Sequence, residues 1–188
     1  MQIKTLNYLG TVVCERCWGC HTIRDESAMK TLHTVAILSV FVAVPALAQA
    51  DSASQYVTAA GASDLFERQS AQVVMQTTTN AKVRSCAKMM LTAHSKSTAD
   101  VKAAAARSRV KVMPPKLMPD QAAMLQQLRA AKGTDRDTTY VTQQKAAHDQ
   151  ALTLHQSYAS NGRAAPLKTV AAKIVPVVQM HIRMLDEM

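Results

Sequence analysis

Two sets of residues in this chain have types and spacings suited to metal chemistry. The first is close to the N-terminus, where Cys14 and Cys17-Trp18-Gly19-Cys20-His21 occur together. The run fits C-x-x-C-H, the spacing that attaches a haem through two thioethers with the histidine as axial ligand. Three cysteines and a histidine could equally hold zinc. The second set is dispersed: Glu67, His94, His148 and His181 are far apart in the chain, and each falls on the apolar stripe of a different helical segment. Three imidazoles and a carboxylate can hold zinc, copper, manganese or iron.

Which set survives in the working protein depends on the leader. Residues 29–50 run from Met29-Lys30 through an apolar stretch, Thr34 to Val44, to Pro45-Ala-Leu-Ala-Gln-Ala50. A short positive start, an apolar middle too short for a comfortable membrane span, and small residues at Ala48 and Ala50 are the parts of a secretory signal peptide. Cleavage after Ala50 discards Cys14, Cys17, Cys20 and His21. Met29 is a natural start, so residues 1–28 read as a mis-assigned upstream start. The mature chain, 51–188, then begins at Asp51 and belongs in the periplasm. Its one cysteine, Cys86, cannot form an internal disulfide and is expected to be buried as a small apolar side chain.

The elements that must position the dispersed set are helices. Apolar residues at three- and four-residue spacing run from about Ser54 to Met75, with Tyr56, Ala60, Ser63, Glu67, Ala71 and Val74 on one stripe. A second helix runs from about Ala81 to Arg109, with Val83, Ala87, Met90, His94, Val101 and Ala105 in register and Asn80 as its cap. Met113-Pro114-Pro115 and Pro119 force an extended connection. A short helix follows from about Asp120 to Ala131. A fourth runs from about Asp135 to Ser160, with Asp135 and Asp137 favourable at its positive end and Asn161-Gly162 as its stop. On it, His148 is in line with Val141, Gln144, Leu152 and His155. The last runs from about Ala165 to Glu187, with Pro166 in its first turn and Pro176 expected to kink its middle. There His181 is in line with Ile174, Val177, Leu185 and Met188. No segment alternates with period two, so the fold class is all-α: four long amphipathic helices forming a bundle, with a short extra helix in the central crossover.

Each long helix therefore sends one metal-capable side chain inward. The competing interpretation is structural, with Glu67 satisfying one or two buried imidazoles by hydrogen bonding. A di-iron carboxylate centre fits less well, because it needs several Glu and a Glu-x-x-His pattern, and the mature chain has only Glu67 and Glu187. Met180, Met184 and Met188 form a row beside His181 that suits Cu(I) or simply fills a core.

Composition agrees with helices and with no familiar catalytic machinery. Of 188 residues, 48% are hydrophobic but only 4% aromatic, and the five glycines are too few for a turn-rich sheet protein. No Gly-rich phosphate loop, nucleophile elbow or Glu-bearing His-x-x-x-His motif occurs. From Asp51 onward, 18 Lys and Arg against 10 Asp and Glu leave a charge of +8. Such a surface favours solubility and anionic envelope components as partners, and nothing points to nucleic acid. The functional expectation is a non-enzymatic binding or envelope-associated bundle, with metal binding or handling by Glu67, His94, His148 and His181 as the alternative.

The stretch from about Tyr56 to the C-terminus resembles the bacterial exported proteins of domain-of-unknown-function family 4142, often labelled outer-membrane proteins. The resemblance is carried by Ala87-Lys-Met-Met90 followed by His94, by Gly133-x-x-x-Asp137-x-x-Tyr140, by His148, and by Pro176 followed by His181. It implies a ferritin-like helical bundle and no established activity. Two positions depart from the pattern: Ala93 stands where the family usually has Asp before the second-helix histidine, and Arg136 stands where it has an aromatic. The first change removes a carboxylate that could have oriented His94.

Overall fold

A computed structural model describes residues 52–188. Residues 1–28 with their cysteines and His21, the leader 29–50 and the processing point between Ala50 and Asp51 lie outside the described residues. Within them the chain forms five helices and no strands: α1 (Ala53–Thr77), α2 (Ala81–Arg107), α3 (Pro119–Ala130), α4 (Gly133–Asn161) and α5 (Ala165–Asp186). The all-α bundle expected from the apolar spacing is the one observed.

Local chemistry fixes the helix ends. Ser52 Oγ accepts from the Gln55 N–H at 3.1 Å while the Gln55 side chain reaches back to the Ser52 N–H at 3.4 Å, a reciprocal cap on α1. Asn80 Oδ1 accepts from the N–H groups of Lys82 and Val83 at 2.9 and 3.3 Å and starts α2. Such caps are worth about 1 kcal/mol each. α2 stops two residues earlier than its pattern suggests because Arg109 takes a left-handed conformation (φ 55°). The Arg109 N–H then donates to Ala106 O and the Val110 N–H to Ala105 O, satisfying carbonyls the helix would leave orphaned. At the end of α4, a Cβ on Gly162 would come within 2.6 Å of Tyr158 ring and carbonyl atoms, so only glycine fits. Asp137 does something other than complement the positive end of α4: it is buried and accepts from Thr78 Oγ1 at 2.7 Å, tying α4 to the α1–α2 turn. α5 continues as one helix through Pro176.

Packing order follows from which helices touch. α1 lies against α2 and α4, and α5 against α2 and α4, so α2 and α4 are diagonal partners. Two apolar clusters set the directions. One gathers Tyr56, Ala60, Val101, Ala105, Ala151, Tyr158, Leu167 and Val178. The other gathers Phe66, Val74, Val83, Met90, Leu128, Tyr140 and Leu185. α1 and α5 run from the first cluster to the second, while α2 and α4 run the opposite way. All neighbouring pairs are thus antiparallel, and the chain must return the length of the bundle between α2 and α4. The segment 108–118 and α3 make that return, with Pro115 passing Gly61 of α1 and Leu125 and Leu128 joining the second cluster. One long crossover of this kind is the ferritin-like arrangement. Cys86 is buried in the second cluster, where burial pushes its thiol up to about 11. None of the described helices is long and apolar enough to cross a membrane.

Candidate metal centre

Along every long helix the two clusters are separated by one polar level. On α1 it is Asp64 and Glu67, on α2 His94, on α4 Gln144 and His148, and on α5 His181, all buried. The antiparallel register brings these levels to one height. One ligand-capable nitrogen from each of His94, His148 and His181 lies within 4.8 Å of the others. The three ring centroids are 5.3–5.6 Å apart.

Two of the rings are oriented by a partner behind them. His94 Nδ1 is 2.9 Å from Asp64 Oδ1, and Thr98 Oγ1 donates to the other carboxylate oxygen at 2.9 Å. The Asp64 carboxylate can only accept, so His94 carries its proton on Nδ1 and turns Nε2 toward the other two rings. His148 Nδ1 donates to the Gln144 carbonyl at 2.9 Å, which leaves a lone pair on His148 Nε2. That nitrogen stands 3.2 Å from Nδ1 of His181. Without an ion the contact is a hydrogen bond from Nδ1–H of His181. Among the described residues, Nε2 of His94 and Nε2 of His181 are buried with no hydrogen-bond partner.

Glu67 is placed differently from the three histidines. Its carboxyl is fully buried, with Oε1 3.5 Å from Nδ1 of His148, the nitrogen turned toward Gln144 rather than toward the other rings. It stands behind His148 and is not part of the three-nitrogen group. Asp64, which the stripe through Ser63 and Glu67 passes over, is the carboxylate that touches a histidine directly. Its position three residues before Glu67 was the available signal. Asp64 also fills the role left empty by Ala93, reaching His94 from a neighbouring helix.

The electrostatics separate the rings. Burial lowers His148 to about 3, helped by the nearby His94 and His181, and lowers His181 to about 4. Both are neutral near pH 7. Burial also acts to lower His94, but the Asp64 hydrogen bond and the charges of Glu67 and Asp64 outweigh it and raise its pKa. Burial pushes Glu67 up to about 7, opposed by His94 and the Gln144 amide. His155, seven residues after His148, is outside the group. Its Nδ1 is hydrogen-bonded with the Tyr56 hydroxyl at 3.0 Å, and burial lowers it to about 4. The methionine row divides, with Met184 and Met188 packing on the second cluster and Met180 46% exposed.

Residues 41–188 match the family described as domain of unknown function (DUF4142). The chain belongs to this family. The resemblance in its motifs is thereby shown, and so is the absence of an assigned activity at family level. No curated protein matches the chain. Among solved structures, the chain is similar to a DUF305 fragment from Deinococcus radiodurans at 15% identity, with TM-score 0.63, covering 72% of this chain and 93% of that one. It is also similar to a DUF305 protein from Streptomyces coelicolor, described as a candidate secreted protein, at 16% identity and TM-score 0.57, covering 72% and 89%. At such identities the likeness concerns the fold alone: a DUF4142 chain shares its helical bundle with DUF305 proteins.

Proposed function

We propose that this DUF4142 chain is an exported, non-enzymatic metal-binding bundle of the periplasm, mature from Asp51, that holds a zinc- or copper-class divalent ion through His94, His148 and His181. The observation that carries the reading is the 3.2 Å approach of His148 Nε2 to His181 Nδ1 at the same level as the partnerless Nε2 of His94. Two ligands about 2.0–2.1 Å from a tetrahedral ion stand about 3.3 Å apart, so these two nitrogens already have the separation of a bound pair. An ion would take the place of the proton they share, His181 keeping its proton on Nε2 instead. Asp64 behind His94 and the Gln144 carbonyl behind His148 are the outer partners that fix ring orientation in histidine metal sites. Three imidazoles favour zinc or copper over manganese, which prefers oxygen. Glu67 enters as a neighbouring carboxylate that offsets the ion's charge rather than as a ligand. Export is supported by the three-part leader, and by the candidate secreted character of the Streptomyces neighbour.

The test uses the exported protein stripped by chelator. Zinc at 100 times its dissociation constant should stabilise the fold by about 2.7 kcal/mol and raise Tm accordingly. The rise should vanish in His94→Ala and in His181→Ala and persist in His155→Ala. An equal rise in all three variants would mean surface binding and end the proposal. Intact-mass measurement of the same material should give a chain starting at Asp51; a product retaining Cys14 to Cys20 would reject the processing. The +8 charge supports anionic envelope components as partners, which predicts binding to vesicles rich in anionic lipid that weakens as salt rises.

A further inference from the structure

A cavity of about 220 Å³ opens between α2 and α5, lined by two of the three histidines, His94 and His181. Its floor is polar, with His94, His181 and Ser97 among its lining. Ser97 Oγ, like Nε2 of His181, is buried and has no hydrogen-bond partner among the described residues. Its walls are mostly apolar, with Ala151, Ile174 and Val178 beside the buried ring of His155, and its mouth is edged by the exposed Lys96, Lys173 and Val177. Buried polar atoms without partners are uncommon in folded proteins, and here two of them border a space large enough for a guest. An apolar cavity of about 150 Å³ already admits benzene.

The charges decide what kind of guest fits. Asp64 is committed to His94 and Thr98, and Asp100 is paired with Lys96 at 2.5 Å. Lys173 is the cation at the mouth with no ion-pair partner among the described residues. Three neutral imidazoles leave the two positive charges of a bound ion uncompensated by its ligands, and they leave a tetrahedral ion one open position. The floor therefore suits an anionic oxygen donor, while the walls suit hydrocarbon.

We propose that this cavity is the exogenous-ligand half of the centre and takes a small carboxylate with an apolar body, one oxygen on the ion and the body against Ile174 and Val178. The inference rests on the metal reading above. The hydroxyl of Ser97 and the Nε2–H of His181 are the donors available to the second carboxylate oxygen, and Lys173 attracts the anion at the entrance.

The probe is benzoate, with acetate for comparison, added to exported protein in which cobalt(II) replaces the native ion, and the readout is the visible cobalt absorption. Benzoate should shift the spectrum saturably, and acetate, lacking the apolar body, should need at least about tenfold higher concentration. Val178→Trp fills the cavity, and should abolish the benzoate response while cobalt still binds. Val177→Asp changes an exposed position at the mouth, so folding is not at stake there. It should weaken benzoate severalfold by repelling the anion, with cobalt affinity unchanged. A cobalt-loaded protein indifferent to benzoate, equal responses to benzoate and acetate, or an unaltered benzoate response in Val177→Asp would overturn the inference and leave the metal reading standing. Failure to take up cobalt would overturn both.

Discussion

The cluster around Met90 and the histidine level beside it share the four long helices, the cluster adding α3, yet they solve burial in different ways. In the cluster, Phe66, Met90, Leu128 and Leu185 are wholly enclosed, and each gains from losing water whatever its exact neighbour. At the histidine level nothing is indifferent to its neighbour: Asp64, Glu67, His94, Gln144, His148 and His181 are buried too, and several of their polar atoms find no partner among the described residues. An unpartnered buried polar group costs about 1–3 kcal/mol. The contrast teaches that the clusters hold the bundle together while the level between them is tolerated at a cost, which is the usual mark of a site.

The largest effect expected from breaking this contrast is in the cluster. Met90→Ala should cost about 2–5 kcal/mol in a denaturant titration; a loss below about 0.5 kcal/mol would place Met90 outside a working core. The next concerns acid, in metal-free protein. His148 and His181 have folded values of about 3 and about 4 against an ordinary 6.5, so the unfolded chain binds their protons first. Their contribution is present above pH 6.5 and is lost as pH falls from there through the folded values, by up to about 1.4 kcal/mol per pH unit for each group. His94 works against them: its raised value gives stability that is present below pH 6.5 and lost as pH rises through the folded value. Chemical denaturation between pH 7 and pH 4 should show net loss for the parent, and a smaller loss in His181→Leu.

Glu67 carries the opposite sign to the two lowered histidines. Its folded value of about 7 lies above the ordinary 4.5, so its contribution is fully present below pH 4.5 and lost as pH rises through 7. Glu67→Gln, which mimics the protonated form, should stabilise metal-free protein by about 1–3 kcal/mol at pH 8 and change little at pH 4. Equal effects at both pH values would show that Glu67 does not titrate in the interior. The smallest effect lies away from the level altogether. Arg109 holds a left-handed conformation that glycine adopts without strain, and Arg109→Gly should stabilise by about 0.5–1 kcal/mol. It should leave the pH profile unmoved, separating general stability from the chemistry of the level.

Much of this was legible in the amino-acid order. The caps Asn80 and Gly162 and the proline-rich connection bound the helices to within a few residues, because turn and cap chemistry is local. The inward placement of Val83, Ala87, Met90, His94, Val101 and Ala105 follows from a 3.6-residue period, and all six are buried. On α5 the expected line through His181 was wrong at one position: Val177 is 39% exposed, and its neighbour Val178 is the buried residue. What periodicity could not give was height. Whether His94 meets His148 and His181 depends on how far one hairpin slides along the other, and that is set by the crossover and by packing across the seam. For the same reason Asp64 was invisible as a partner of His94, since nothing local links position 64 to position 94. Glu67 and His148 were each recognisable as inward, but not which ring nitrogen the carboxylate would face.

The order of helices around the bundle gives the histidine level a mechanical meaning. α1 and α2 form one hairpin and bring His94; α4 and α5 form the other and bring His148 and His181. Neither hairpin owns three nitrogens, and the one covalent link between them is the crossover 108–132. An ion at this level would act as a crossbolt through both halves, made only after they have docked. Contacts formed that late slow separation more than they speed assembly. Such an ion would lengthen the life of the folded bundle far more than it would hasten its birth, and a chain cut in the crossover would still be held as two hairpins clasped around one metal.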